Sequence, residues 1–143
     1  MLIKDVMTHP PKSIDAAASL ETAAELMALH DVGSLPVCKD GTLVGIVTDR
    51  DIVTRALAPG LDVKTTQVSH VMTADPITVT PGLDLTEAAH ILTDYRVGRL
   101  PVVEDGKLVG VLSADDVARK CEDDAAVLRM TRRLAPQRRA SAH

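Results

Sequence analysis

The sequence predicts an α+β fold built twice, in which two small sheets with flanking helices pack around a pseudo-two-fold axis. Residues 6–57 align with residues 71–122 at a constant offset of 65 without a gap, and 18 of the 52 aligned positions are identical. Each copy contains apolar runs typical of strands and an apolar stripe with helical spacing. A repeat of about 60 residues buries too little surface to be comfortably stable alone, so we expect the two copies to share a core.

Each copy opens with Val-Met-Thr, at residues 6–8 and 71–73, and a proline-containing bend follows. We expect a short first strand next, near residues 13–14 in the first copy and residues 77–79 in the second. Mixed polar and apolar residues in these segments are typical of a half-buried strand.

The first helix of each copy is predicted from its cap and its periodicity. Ser19 and Asp84 stand at the N-cap positions, and apolar residues follow at i, i+3, i+4 and i+7. Gly33 and Gly98 fall just past the helix ends, where a C′ glycine stops a helix.

A β-hairpin is predicted next, because Asp40-Gly41 and Asp105-Gly106 each separate two apolar runs. The second run of each hairpin, residues 43–47 or 108–112, has a glycine at its centre. An interior glycine in a strand often marks the close approach of another backbone or of a ligand.

The last helix of each copy is predicted over residues 49–57 and 114–123. A hydroxyl residue with an aspartate three positions later begins each of these helices: Thr48 with Asp51, and Ser113 with Asp116. The pair either caps the helix, which stabilises it by about 1 kcal/mol, or contacts a ligand as well. A helix start also leaves backbone N–H groups free to face an anion.

We divide the chain into a first domain at residues 1–60, a linker at 61–70, a second domain at 71–124 and a basic C-terminal tail at 125–143.

From Arg129 onward the tail carries five arginines and no acidic residue. It either touches nucleic acid or an acidic partner, or forms a short helix over residues 125–134 that packs near the dimer interface, followed by a frayed end after Pro136. The tail has no aromatic residue on which a base could stack, so nucleic-acid binding is the less favoured alternative.

Composition excludes several classes of function. The formal charge of −4 argues against a general polyanion binder, and no apolar run is long enough to cross a membrane. Residues 1–6 do not resemble a signal peptide, and Cys38 and Cys121 are expected to be reduced thiols, so we expect a cytoplasmic protein. No histidine or cysteine spacing typical of zinc occurs, and no catalytic motif is found, so we expect neither a metal site nor an enzyme.

Four motifs carry a resemblance to a known family: Val-Met-Thr, Val-Gly-x-Leu-Pro-Val, Asp-Gly-x-Leu-Val-Gly, and Thr/Ser-x-x-Asp followed by an aliphatic residue. Together with the duplication they resemble the CBS domain, two of which in tandem form a Bateman module. The chain is similar to stand-alone CBS pairs, and more narrowly to the hypoxic-response-protein type. The resemblance implies two sheets packed across the pseudo-two-fold axis, two clefts between the repeats, and a flat homodimer.

The resemblance also implies a regulatory ligand, either an adenosine nucleotide (AMP, ADP or ATP) or S-adenosylmethionine, with no cofactor required. The hydroxyl of Thr48 or Ser113 can donate to a phosphate oxygen, and the carboxylate of Asp51 or Asp116 can accept from both ribose hydroxyls.

Four further residues complete the expected site. Ile46 and Val111 lie two positions before the hydroxyls and are expected beside the base. Ser13 and Thr78, in the first strand of each repeat, are the family's other usual contributors.

The two clefts are not expected to be equivalent. Arg50 favours phosphate beside the first helix start, whereas its counterpart, Asp115, disfavours it. Arg99, which has only Ser34 opposite, is either a bidentate phosphate donor or a solvated surface arginine. Whether one or two ligands bind stays open.

Two functions follow as alternatives. In the first, a homodimeric module senses an adenosine ligand and signals to an unknown protein partner. In the second, the clefts are empty or plugged by side chains and the protein is a dimeric adaptor.

Overall fold

The computed structural model describes residues 1–136 of the chain, and within them it has one sheet flanked by helices. The strands are β1 (Ile14–Asp15), β2 (Ser34–Lys39), β3 (Thr42–Thr48), β4 (Thr73–Ala74), β5 (Arg99–Glu104) and β6 (Lys107–Ser113). The α-helices are α1 (Leu20–His30), α2 (Asp49–Ile52), α3 (Leu85–Tyr95), α4 (Ala114–Lys120) and α5 (Asp124–Leu134). Single 3₁₀ turns at Ile3–Asp5 and Val68–His70 and a π-helical turn at Val53–Leu57 complete the described part.

The strand order is β1-β2-β3-β6-β5, with β4 paired to β3. Each repeat contributes one antiparallel hairpin, β2–β3 or β5–β6, and β1 runs parallel to β2. Strand pairing between the two hairpins consists of one residue pair, Thr42 with Lys107, so the two expected sheets are joined edge to edge. The predicted α+β fold is confirmed.

Both predicted hairpin turns are present. Asp40 and Gly41 have φ angles of 52° and 79°, and Asp105 and Gly106 have 52° and 78°. Two consecutive positive φ values define the type I′ turn, whose twist matches that of the flanking strands.

The predicted C′ glycines are wrong. The residue in the left-handed conformation after α1 is Asp31, with φ of 53°, and the one after α3 is Arg96, with φ of 54°. Gly33 and Gly98 come two residues later and have no positive φ. The sequence position of a glycine near a helix end was therefore a poor guide to which residue turns the chain.

The predicted first strand of the second repeat is reduced to a single parallel bridge between Val79 and Val102. In the first repeat Ala16 extends this pairing by donating its N–H to the Cys38 carbonyl at 3.0 Å. The residue that corresponds to Ala16 is Pro81, which has no N–H to donate.

The last helices also differ from prediction. In the first repeat the α-helix covers only four residues before it widens into the π-helical turn. In the second repeat α4 ends at Lys120 rather than near residue 123, because Asp123 is the N-cap of α5 and accepts the Ala126 N–H at 3.0 Å.

Helix α5 confirms the helical alternative for residues 125–134 and begins one residue earlier. Its Ala126 and Met130 are buried in the core of the second repeat. Arg138 and Arg139, which were part of the predicted basic tail, lie outside the described residues.

The core consists of two clusters of buried residues, one for each repeat. Each cluster also includes residues that lie outside the helices and the hairpin of that repeat. Ile3, at the start of the chain, is fully buried in the second cluster and donates its N–H to Leu83. Val68, just before the second repeat, and Val71, its first residue, are buried in the first cluster. The segment that opens each repeat therefore packs on the other repeat.

The central glycines of β3 and β6 lie where these opening segments cross. A Cβ placed on Gly45 would lie 2.6 Å from Met72 Sδ and 2.8 Å from the Thr73 carbonyl oxygen. A Cβ on Gly110 would lie 2.5 Å from Met7 Sδ and 3.1 Å from the carbonyl oxygen of Thr8. The predicted close approach is confirmed, and the approaching group is backbone of the other repeat.

We expect Gly45→Ala to lower the free energy of unfolding by about 1–3 kcal/mol, because the added methyl overlaps a backbone carbonyl that cannot rotate away. Urea unfolding followed by circular dichroism measures the change. Gly82→Ala is the matched control, since a Cβ there meets nothing within 4 Å. Equal stability of Gly45→Ala and the control would show that the crossing tolerates a side chain.

Candidate functional site

The first helix tip is a closed capping box. The Asp51 N–H donates to Thr48 Oγ1 at 3.0 Å, and the Thr48 N–H donates to Asp51 Oδ2 at 3.0 Å. The Asp49 N–H donates to the Gly33 carbonyl at 2.9 Å, and the Arg50 N–H donates to the Asp49 carboxylate at 2.8 Å. The first three amides of α2 are therefore occupied, and the expectation of free N–H groups is wrong at this tip.

The second tip repeats the box but leaves one amide unengaged. The Asp116 N–H donates to Ser113 Oγ at 3.0 Å, and the Ser113 N–H donates to Asp116 Oδ2 at 3.2 Å. The Ala114 N–H donates to the Gly98 carbonyl at 2.9 Å. Ala114 has no carboxylate with which to engage the next N–H, that of Asp115, and within residues 1–136 that N–H has no acceptor.

Both box aspartates are mostly buried, and each has a neighbouring arginine. The Asp116 side chain is 13% exposed and its Oδ1 accepts from Arg119 Nη2 at 2.8 Å. The Asp51 side chain is 14% exposed, and its Oδ1 lies 3.9 Å from Arg55 Nε, which is too long for a hydrogen bond. An ionised carboxylate has about four acceptor positions, so Asp116 keeps capacity for further donors.

A hollow between the repeats begins at the second tip; we call it the Ser113 cleft. It holds about 680 Å³ of space, open solvent included. Its wall is largely apolar, with a few polar and charged groups. The lining residues are Thr8, Lys12, Val32, Ser34, Leu35, Pro36, Ile46, Arg99, Pro101, Val111, Ser113 and Asp116.

A second, wider hollow lies between the two helix tips; we call it the central hollow. It encloses about 1240 Å³, including open solvent, and shares four lining residues with the Ser113 cleft. Those four are Ser34, Ile46, Arg99 and Ser113. The others are Gly33, Thr48, Asp49, Arg50, Val97, Gly98, Ala114, Asp115 and Leu134.

Half of the predicted site residues meet in the Ser113 cleft, namely Ile46, Arg99, Val111, Ser113 and Asp116. Two more, Thr48 and Arg50, line the central hollow. The structure therefore brings both hydroxyls to the inter-repeat region but only one of the two aspartates.

The remaining three predicted residues lie elsewhere. Asp51 faces its own capping box and lines neither hollow. Ser13 lies beside the Cys38 thiol in a separate surface groove. Thr78 is exposed and lines neither the cleft nor the central hollow. A ligand role for these three stays a prediction from sequence.

Lys12 is the lining residue that sequence reasoning missed. It is exposed, follows the proline bend of the first repeat, and enters the cleft together with Thr8. The signal that could have revealed it is a mismatch within the repeat, because the residue at the corresponding position of the second repeat is Ile77.

Burial raises the pKa of the Cys38 thiol above its ordinary value, since a buried thiolate loses hydration. The Ser13 hydrogen bond lowers this pKa in part, whereas the nearby carboxylate of Asp15 raises it further. The thiol therefore stays neutral near pH 7, in keeping with the expected reduced, structural cysteine.

No group of three or more histidine, cysteine, aspartate or glutamate side chains within residues 1–136 is arranged to hold a metal ion. Among the helices of the same residues, none has both the length and the apolar character that crossing a bilayer requires.

The fold and the inter-repeat hollows define a tandem α+β module with a cleft between its two repeats. The family model for the CBS domain matches the chain twice, at residues 3–58 and 68–123. The chain belongs to the CBS domain family, and the resemblance found from its motifs is confirmed.

Curated relatives of similar length support this assignment. The chain is 36% identical over 116 residues to "CBS domain-containing protein YhcV" of Bacillus subtilis, covering 81% of this chain and 82% of that protein. It is 33% identical over 125 residues to "Hypoxic response protein 1" of Mycobacterium tuberculosis, covering 87% of each.

Solved structures of CBS pairs superpose closely. Hypoxic Response Protein I with two coordinated zinc ions gives a TM-score of 0.78 at 32% identity, covering 84% of this chain and 98% of that one. The CBS pair of MJ0100 with 5-methylthioadenosine and S-adenosyl-L-methionine gives 0.73 at 30%, covering 83% and 94%. CBSX2 in complex with AMP gives 0.72 at 34%, covering 82% and 93%.

Proposed function

We propose that this protein is a non-catalytic regulatory module that binds an adenosine ligand in the Ser113 cleft and signals its presence to a protein partner. The observation that carries the proposal is the convergence of Asp116, Ser113 and an apolar wall in one hollow between the repeats. The adenosine compounds bound by the CBS pairs of MJ0100 and CBSX2 support the same ligand class.

Each part of the ligand has a matching group in the cleft. The Asp116 carboxylate has acceptor positions left for both ribose hydroxyls, and the Ser113 hydroxyl, whose oxygen accepts the Asp116 N–H, keeps its proton for donation. Ile46 and Val111 offer apolar surface to the base. The hollow is not filled by side chains, which favours a ligand-binding module over the alternative of a plugged adaptor.

A ligand at this position can act on a partner only by binding two conformations of the module with different affinity. The cleft is lined from both repeats, so a change in the separation of the repeats changes the site. We therefore place the signal in the relative position of the two repeats.

We expect Asp116→Asn to weaken binding of the adenosine ligand by about tenfold or more, because an amide nitrogen cannot accept from a ribose hydroxyl. Isothermal titration calorimetry with AMP, ADP, ATP and S-adenosylmethionine measures the affinity. Asp51→Asn is the matched control, because it alters the equivalent capping box outside the cleft.

Thermal unfolding of both variants separates folding from binding, since each changes the aspartate of its own capping box. Absence of heat with all four ligands at millimolar concentration would remove the sensing proposal. A larger effect of Asp51→Asn than of Asp116→Asn would place the ligand at the other tip.

We also propose that the protein forms a homodimer through the helical face of the first repeat. Helix α1 packs against α2. On α1 and the π-helical turn that follows α2, Leu29, Val53 and Leu57 are 74%, 52% and 64% exposed. Their counterparts in the second repeat are Asp94, Ala118 and Glu122. Apolar side chains this exposed, at positions where the second repeat has acidic or small residues, are typical of an association surface.

We expect Leu57→Glu to shift the protein from dimer to monomer, because a charge at the centre of an apolar interface must be desolvated. Sedimentation velocity gives the mass. Leu128→Glu, on a half-exposed leucine of α5, is the control and should leave the dimer intact. A wild-type monomer, or dissociation by the control alone, would contradict this interface.

A further inference from the structure

The charges that line the Ser113 cleft do not balance. Lys12 and Arg99 contribute two cations, whereas Asp116 is the one carboxylate in the lining. That carboxylate is already paired with Arg119 at 2.8 Å. The cleft therefore keeps positive charge that no lining group compensates, and an anionic ligand would supply the missing charge.

We infer that the Ser113 cleft selects the phosphorylated form of its ligand, with Lys12 and Arg99 as the phosphate-binding residues, and that it takes one such ligand per chain. This inference rests on the proposed function, because it concerns which adenosine ligand occupies the same cleft. It assigns specificity to Lys12, which lies outside both helix tips and outside the Thr/Ser-x-x-Asp motif.

The two cations suit a phosphate in different ways. Arg99 is half-buried on β5, where its planar guanidinium can donate two parallel hydrogen bonds to phosphate oxygens. Lys12 is exposed at the rim, where a flexible ammonium can follow a phosphate group. Helix α4 has only seven residues, so the side chains rather than the helix dipole supply the charge.

The first helix tip lacks these features. The residue that corresponds to Lys12 is Ile77, which carries no charge, and the Asp49 carboxylate already takes the Arg50 N–H. At the second tip Ala114 stands in place of Asp49, and Asp115, the acid beside it, lines the central hollow rather than the Ser113 cleft. A second phosphorylated ligand at the Thr48 tip would meet Arg50, but it would also meet the Asp49 carboxylate and would have no lysine equivalent to Lys12.

The same charges disfavour a cationic ligand. S-adenosylmethionine carries a sulfonium, an ammonium and a carboxylate group, so its net charge is positive, and Lys12 and Arg99 disfavour it relative to an anionic phosphate ligand. Adenosine shares the base and the ribose but has no charged group that Lys12 or Arg99 could bind. The ligand series AMP, adenosine and S-adenosylmethionine therefore tests the charge of the cleft with the nucleoside held constant.

The experiment is a calorimetric titration of the full chain with AMP, ATP, adenosine and S-adenosylmethionine at two salt concentrations. We expect AMP or ATP to bind at one per chain, about tenfold or more tighter than adenosine or S-adenosylmethionine, and to weaken with added salt. Lys12→Ile introduces the residue found at the same position of the other repeat. It should weaken AMP binding by about tenfold and leave the affinity for adenosine unchanged. Ile77→Lys is the matched control and should leave the Ser113 cleft's affinity as it was.

The outcomes separate this inference from the proposed function. Adenosine or S-adenosylmethionine binding as tightly as AMP, an unchanged AMP affinity in Lys12→Ile, or two equivalent phosphate-dependent sites would overturn the inference while leaving the adenosine module intact. If none of the four ligands gives a heat of binding, including uncharged adenosine, the proposed function and the inference are both overturned.

Discussion

The fold depends on two backbone crossings. The Met72–Thr73 segment passes over Gly45 of β3, and the Met7–Thr8 segment passes over Gly110 of β6. The opening segment of each repeat therefore packs against a strand of the other repeat. A side chain at either glycine would overlap the segment that crosses it. The packing of the two repeats therefore depends on the absence of a side chain at both positions. The same crossing brings Thr8 to the wall of the Ser113 cleft, which joins the stability of the fold to the shape of the site.

Duplication gives the protein two matched helix tips, and local substitutions make them unequal. Asp49 engages a helix amide that its counterpart, Ala114, leaves unengaged, and Lys12 stands where the second repeat has Ile77. Neither change disturbs the hairpins or the capping boxes. The scaffold can therefore be conserved between repeats while the charge of each cleft is set separately. The second repeat also carries α5, whose Leu134 reaches the central hollow and adds a further difference between the two sides.

Much of the fold was predictable because it depends on local chemistry. Preferences of neighbouring residues predicted the Asp-Gly turns, the hydroxyl–aspartate capping boxes and the close approach of another segment at Gly45 and Gly110. The structure confirms all three. Some errors were local, since Asp31 and Arg96 take the left-handed conformation predicted for glycines and Asp123 begins α5 early. Others came from contacts that are distant in sequence. The proline at position 81 truncates the first strand of the second repeat, whose remaining bridge joins Val79 to Val102, 23 residues later.

The site was harder to predict than the fold for the same reason. The motif identified Ser113 and Asp116, yet Lys12 reaches the cleft only because the opening segment of the first repeat crosses onto the second. The sequence predicted that both helix starts would present free backbone N–H groups. In the structure the carbonyls of Gly33 and Gly98 accept hydrogen bonds from the first N–H of each helix. Spacing within one motif cannot reveal either contact.

The most direct test of the central claim is a titration of the ¹⁵N-labelled protein with AMP, followed by amide chemical shifts. The bound ligand should shift the amides of Ser113, Asp115 and Asp116 and those of the Thr8 segment, and should leave Thr48 and Asp51 nearly unmoved. Shifts concentrated at Thr48 through Asp51, or none anywhere at saturating AMP, would contradict a ligand site built at the second helix tip.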